Sequence, residues 1–141
     1  MTATFWAGTE IEKGGLWGLG LNRNQNLLGK VMIFLERPCT SVSEVTPEEW
    51  TELHDHIRRT RVALDSLFEP DQHNYAFLMN EDAQVHLHVL PRYRSPRSWE
   101  RITVTDRNFG SLHEATNIDL PGESLARLAE AIRTQLPERN A

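Results

Sequence analysis

The chain has 141 residues, enough for one domain with a moderate hydrophobic core. With 39% apolar and 25% charged residues it reads as an ordinary globular chain, and no apolar run approaches membrane-spanning length. A net charge of −5 argues against a dedicated nucleic-acid binder, and the lone Cys39 excludes an internal disulfide, so a reducing cytoplasm is the expected setting. Met1 to Trp6 lacks the basic segment and long apolar core of a signal peptide.

Residues 1–15 read as an irregular lead-in with one short strand near Phe5-Trp6. Leu16 to Leu21 is a compact apolar strand whose glycines suggest close approach by a neighbour. Asn22 to Asn26 is a polar turn, and Val31 to Leu35 is a buried strand ended by Glu36-Arg37-Pro38. The two apolar runs flank a short connection and predict an antiparallel pair. Thr46-Pro47-Glu48-Glu49 then carries a capping threonine, a first-turn proline and a capping-box glutamate. The helix it opens should run to about Phe68, stopping before Pro70. Its apolar stripe reads as Trp50, Leu53, Ile57, Leu64, Leu67 and Phe68, interrupted by Arg61. Glu52, Asp55, Arg58, Arg59 and Asp65 form the wet face, with His54 and His56 on it.

Asn74 to Met79 reads as a third strand, and Asn80 to Ala83 as a tight connection to the next one. Gln84-Val85-His86-Leu87-His88-Val89-Leu90 alternates polar with apolar residues, the pattern of a half-buried strand. Gln84, His86 and His88 share one face, with the imidazoles roughly 6.5–7 Å apart along the strand. The segment from Tyr93 to Leu112 is polar and irregular, with a short extended piece at Ile102 to Thr105. Pro121-Gly122-Glu123 opens a second helix with Leu125, Leu128, Ile132 and Leu136 at helical spacing, and the tail from 137 to 141 frays. The whole predicts one α+β domain over 16–136, with an antiparallel sheet of about five strands and two helices.

Two imidazoles on one strand face admit three readings. They are surface histidines, a catalytic pair, or a His-x-His chelate completed by His113 or His73. Asn22 is either a turn residue or a ligand-binding amide, and Asn80 likewise. Lys30 is either a solvated strand-end charge or a phosphate contact. Arginine forks suit phosphate, so one or two of Arg92, Arg94, Arg97, Arg101 and Arg107 are candidates. Cys39 and Trp50 read as structural.

The stretch from Gln84 to Leu90, continued by Pro91-Arg92-Tyr93, resembles the histidine triad family, whose strand carries His-φ-His-φ-His-φ-φ with φ apolar. Leu21-Asn22-Arg23, Leu28-Gly29-Lys30-Val31-Met32-Ile33 and Arg37-Pro38 are similar to the paired-strand segment of its fragile-histidine-triad branch, which hydrolyses diadenosine polyphosphates. The likeness covers roughly residues 16–93 and, more loosely, 98–136. It implies a histidine-triad-like fold and a homodimer acting on nucleotides. It implies no cofactor held by the protein, any divalent metal arriving with the substrate, and no membrane or nucleic-acid partner. His86 takes the place of the nucleophile and His88 that of the third triad histidine. Asn22, Lys30, Asn80 and Arg92 become the nucleotide-binding candidates.

Three departures accompany the likeness. Gln84 stands where the first triad histidine is expected, Lys30 stands where a Pro-Gly-His segment would put histidine, and the loop before the triad is short. Gln84 therefore enters the catalytic set as an orienting or phosphate-facing group. These departures leave open a nucleotide-binding protein with weakened catalysis.

Overall fold

The computed structural model describes residues 9–113 and 117–139. Five strands form one antiparallel sheet: β1 (Glu10–Glu12), β2 (Trp17–Leu21), β3 (Val31–Leu35), β4 (Gln72–Ala76) and β5 (His86–Arg92), in the order β1-β2-β3-β5-β4. α1 (Pro47–Phe68) separates β3 from β4. A separate hairpin, β6 (Arg97–Trp99) with β7 (Ile102–Val104), precedes α2 (Gly122–Gln135). The architecture is α+β, as the sequence predicts. No helix among the described residues is long and apolar enough to cross a membrane.

Strand alternation divides the sheet into two faces. Trp17, Leu19 and Leu21 on β2, Val31, Ile33 and Leu35 on β3, and Leu87 and Val89 on β5 join the core beneath the helices. Leu53 and Leu64 of α1 and Leu128 and Ile132 of α2 fill it from above. Met32 and Phe34 form a small separate cluster on the opposite face. The register pairs Met32 with His88 and Phe34 with His86, so both imidazoles lie on this second face, away from the helices. Gly18 is what lets the Phe34 ring lie across β2, because a Cβ there would sit 2.4 Å from the ring.

The start of α1 forms as its sequence dictates. Glu49 N donates to Thr46 Oγ1 at 3.2 Å, and Thr46 N donates to Glu49 Oε1 at 2.9 Å. Replacing Thr46 with alanine should lower stability by about 1 kcal/mol, read as a shifted urea midpoint at unchanged slope.

The structure departs from expectation in several places. Trp50 is not core: it is 40% exposed and meets Phe77 edge-on at 6.0 Å. His56 and Arg59 are not on the wet face, being buried, whereas His54 is exposed. Arg59 donates to both carboxylate oxygens of Glu12 at 2.7 and 2.6 Å and to Pro137 O at 2.8 Å. Arg139 donates to Lys13 O at 2.8 Å, so residues 137–139 of the tail make defined contacts, and the rest of the segment expected to fray lies outside the described residues. The lead-in supplies the edge strand β1; the strand expected near Phe5-Trp6 lies outside the described residues. β4 also ends earlier and β5 begins later than predicted, leaving a longer connection over 77–85.

Candidate active site

On the face opposite the helices lies a cleft of about 920 Å³. Its floor is Met32, His86 and His88, and the end of β2 at Leu21 borders it. One wall comes from the loop after β2, with Asn22, Arg23, Asn24 and Lys30, and another from the loop before β5, with Leu78 and Asn80 to Ala83. Asn117 and Asp119 close it from the arm that leads into α2.

The loop after β2 is shaped by its own amides. Asn24 N donates to Asn22 Oδ1 at 2.9 Å, and Asn26 N donates to Asn24 Oδ1 at 3.1 Å. Buried Gln25 donates through Nε2 to Asn22 O and Lys30 O at 2.6 and 2.9 Å and accepts from Gly29 N at 2.8 Å. Gly29 adopts φ of 87°, a conformation glycine takes without penalty. Asn24 Oδ1 also accepts Ile118 N at 3.0 Å, tying the arm to this wall. Asn24, Gln25, Asn26, Asn117 and Asp119 were not singled out from sequence. The Asn-x-Asn-x-Asn spacing of 22, 24 and 26 is the signal that points to Asn24 and Asn26.

The histidine pair is held in a defined state. His86 Nδ1 lies 2.6 Å from the main-chain carbonyl of Gln84, which can only accept, so Nδ1 carries the proton. In the neutral ring Nε2 then bears the lone pair. His88 Nε2 lies 3.1 Å from that nitrogen and donates to it. Burial, the neighbouring His86, and the charges of Lys30 and His113 push the His88 pKa down to about 4. His88 is therefore neutral at pH 7. Lys30, buried beside the pair, donates to Asn26 Oδ1 at 2.7 Å. Desolvation lowers its pKa to about 8, so it keeps most of its charge at neutral pH.

The shift of His88 has a consequence for stability. In the unfolded chain its pKa returns to about 6.5, so between that pH and about 4 the unfolded state binds a proton that the folded state refuses. Stability contributed by neutral His88 is complete above the upper value and is lost as pH falls through this window. His56 and His113, both shifted down, act in the same direction. Replacing His88 with glutamine should flatten the acid slope of the urea midpoint across this window.

The candidate residues separate cleanly. His86, His88, Asn22, Lys30 and Asn80 all line the cleft. The Gln84 amide does not line it; it is bonded to Leu35 O, Arg37 O and Cys39 N. Arg92 is not available as a nucleotide ligand. It lies on the histidine face of β5 but beyond the cleft, and protein acceptors take all five of its N–H groups. These acceptors are Asp106 Oδ1 and Oδ2, Asn74 Oδ1, Ser111 O and Asn108 O. Arg94 stacks over Phe109, and Arg97 donates to Phe68 O. His73 pairs with Asp65 at 2.9 Å, outside the cleft. Among the described residues no three His, Cys, Asp or Glu side chains gather where they could hold a metal ion.

Comparison with solved structures gives the class of fold. A histidine triad protein from Sinorhizobium meliloti 1021 superposes with a TM-score of 0.74 at 20% identity, over 91% of this chain and 89% of that one. Another, from Bradyrhizobium japonicum, gives 0.71 at 16% identity over 96% of both chains. The fold is thus that of the histidine triad proteins, with the paired imidazoles of β5 on its open face. In sequence, the chain is similar to the bis(5'-nucleosyl)-tetraphosphatase of Schizosaccharomyces pombe, 23% identical over 128 residues. That match spans 84% of this chain and 69% of the relative. No family model matches.

Proposed function

We propose that this chain is a histidine-triad enzyme that hydrolyses or transfers nucleotidyl groups. Its substrate is a nucleoside phosphoanhydride of the dinucleoside polyphosphate kind, or a nucleoside phosphoramidate. The observation that carries this reading is the 2.6 Å bond from His86 Nδ1 to a carbonyl, which leaves Nε2 as an unprotonated nucleophile in the cleft.

In the first step His86 Nε2 attacks the α-phosphorus. A P–N bond forms while the bond to the leaving group breaks, and the leaving group departs with the bonding electron pair. For this the His88 Nε2–H leaves the His86 Nε2 lone pair and donates instead to a phosphate or leaving-group oxygen, and Lys30 offsets negative charge beside it. In the second step water or phosphate attacks the same phosphorus, the P–N bond breaks with its electron pair returning to His86 Nε2, and the proton of an attacking water passes to solvent. Asn22 and Asn80 stand on the walls where the sugar and phosphates would lie. The relative's activity and the shared fold support the substrate class.

The test is to incubate the protein with diadenosine tetraphosphate and with adenosine 5'-phosphoramidates, follow release of AMP, and quench for intact mass. The expected result is turnover on part of the panel and a mass gain of one nucleotidyl group on His86. No turnover and no adduct anywhere on the panel would reject the enzyme reading. The acidic residues Glu81 and Asp82 on the cleft wall, where an anionic substrate would lie, favour a second reading, a nucleotide binder with weakened catalysis. It predicts AMP binding by calorimetry without an adduct. We also propose a homodimer, checked by sedimentation.

A further inference from the structure

Every polar group of Gln84 has a protein partner. Its main-chain N–H donates to Asp82 Oδ1 at 3.0 Å. Side-chain Nε2 donates to Leu35 O and Arg37 O, both at 2.7 Å, and Oε1 accepts from Cys39 N at 3.1 Å. Its own carbonyl accepts from His86 Nδ1. The three side-chain bonds all reach the stretch leaving β3. That stretch also pairs with the next residue, since Val85 N donates to Cys39 O at 2.8 Å and Leu35 N donates to Val85 O at 3.0 Å. The peptide bearing the critical carbonyl is therefore fixed from the side chain, from the turn before it and from the ladder after it.

We infer that Gln84 is a positioning residue whose carboxamide clamps its own peptide to residues 35–39, so that the Gln84 carbonyl holds the His86 ring with Nδ1 protonated and Nε2 bearing its lone pair beside His88. It acts through His86 and touches no substrate. The chemistry of the clamp requires two donors and one acceptor on a single planar group, and a carboxamide supplies them. A neutral imidazole offers one donor and one acceptor, and a protonated one offers no acceptor. A histidine at this position would leave Leu35 O, Arg37 O or Cys39 N without its partner in a buried place. The replacement that makes the strand look more like the family motif, Gln84→His, is therefore expected to impair the site.

The kinetic part of this inference rests on His86 being the nucleophile; the spectroscopic part does not. Long-range proton–nitrogen correlation spectra of the full chain, labelled with ¹⁵N, read the ring state directly. In the wild type, His86 should show a protonated Nδ1 and a bare Nε2, and the two Gln84 carboxamide protons should exchange slowly. In Gln84→Met and Gln84→His, the His86 ring should become a mixture that includes the Nε2–H form. Adduct formation should slow by roughly tenfold or more, well short of the about 10⁴-fold cost of a wholly wrong tautomer in a serine protease triad. Substrate KM should stay within about twofold, because binding contacts are untouched. A wild-type His86 protonated at Nε2, or a freely exchanging Gln84 carboxamide, overturns the inference whether or not any variant folds. Variants that retain a pure Nδ1–H ring overturn it too. A wild type with the expected spectra but no turnover leaves the clamp standing and removes only the enzymatic reading.

Discussion

Replacement of His86 by asparagine is expected to abolish the nucleotidyl adduct and to slow nucleotide release by at least about a thousandfold. Removing a covalent nucleophile forces direct attack by water, and the residual rate then reflects only binding and charge stabilisation. His88→Asn should behave differently. His88 donates a hydrogen bond, and loss of a proton donor costs typically about 10²–10⁴-fold, so the adduct should still form, slowly. Quenched-flow mass measurement on both variants gives the ordering. Equal adduct levels in wild type and His86→Asn would remove His86 from the reaction. Neither change should disturb the core, since both rings lie on the sheet face away from the helices.

The second large effect falls on stability. Arg92→Met is expected to destabilise the fold by about 3–5 kcal/mol in urea, because it strands a buried carboxylate. Arg92 and Asp106 are almost wholly buried, with Arg92 Nε 2.7 Å from Asp106 Oδ2. Burial alone raises the Asp106 pKa, but hydrogen bonds from Arg92 and the Tyr93 main chain more than reverse this and hold it below the ordinary value. The pair therefore contributes stability above the unfolded carboxyl's pKa of about 3.9 and loses it as pH falls below that. In Arg92→Met burial is opposed only by main-chain donors such as Tyr93 N, so the folded carboxyl takes its proton more readily, and the deficit should be largest near pH 7 and should shrink toward pH 4. If Arg92 held nucleotide instead, the variant would show a raised KM with an unchanged unfolding midpoint.

What the sequence reveals follows from how far apart the interacting residues lie. The cap of α1 is legible because Thr46 and Glu49 stand three positions apart. The histidine strand and its antiparallel neighbours are legible because alternation and short connections are local properties. His56 and Arg59 are misplaced by the same local logic. For Arg59 the partners that permit burial are Glu12 and Pro137, 47 and 78 positions away. With those partners present, the buried stripe of α1 runs through Glu49, Leu53, His56, Thr60 and Leu64, which turns Trp50 outward. Gln84 and Arg92 fall on the histidine face by parity. Their contacts with residues 35–39 and with Asp106 remove them from the cleft, and those partners stand up to 49 positions from Gln84 and 14 from Arg92, beyond the reach of strand alternation. The Asn117 and Asp119 wall stays hidden because it reaches the site by a bond spanning 94 positions.

The short bond from His86 to the main chain also dictates regiochemistry. With Nδ1 occupied, an electrophile reaching this ring meets one nucleophilic nitrogen, the one remote from the backbone. Every covalent product at His86 should then be a single positional isomer, the tele-substituted ring. Phosphorus–proton correlation on an isolated peptide would separate it from its pros counterpart.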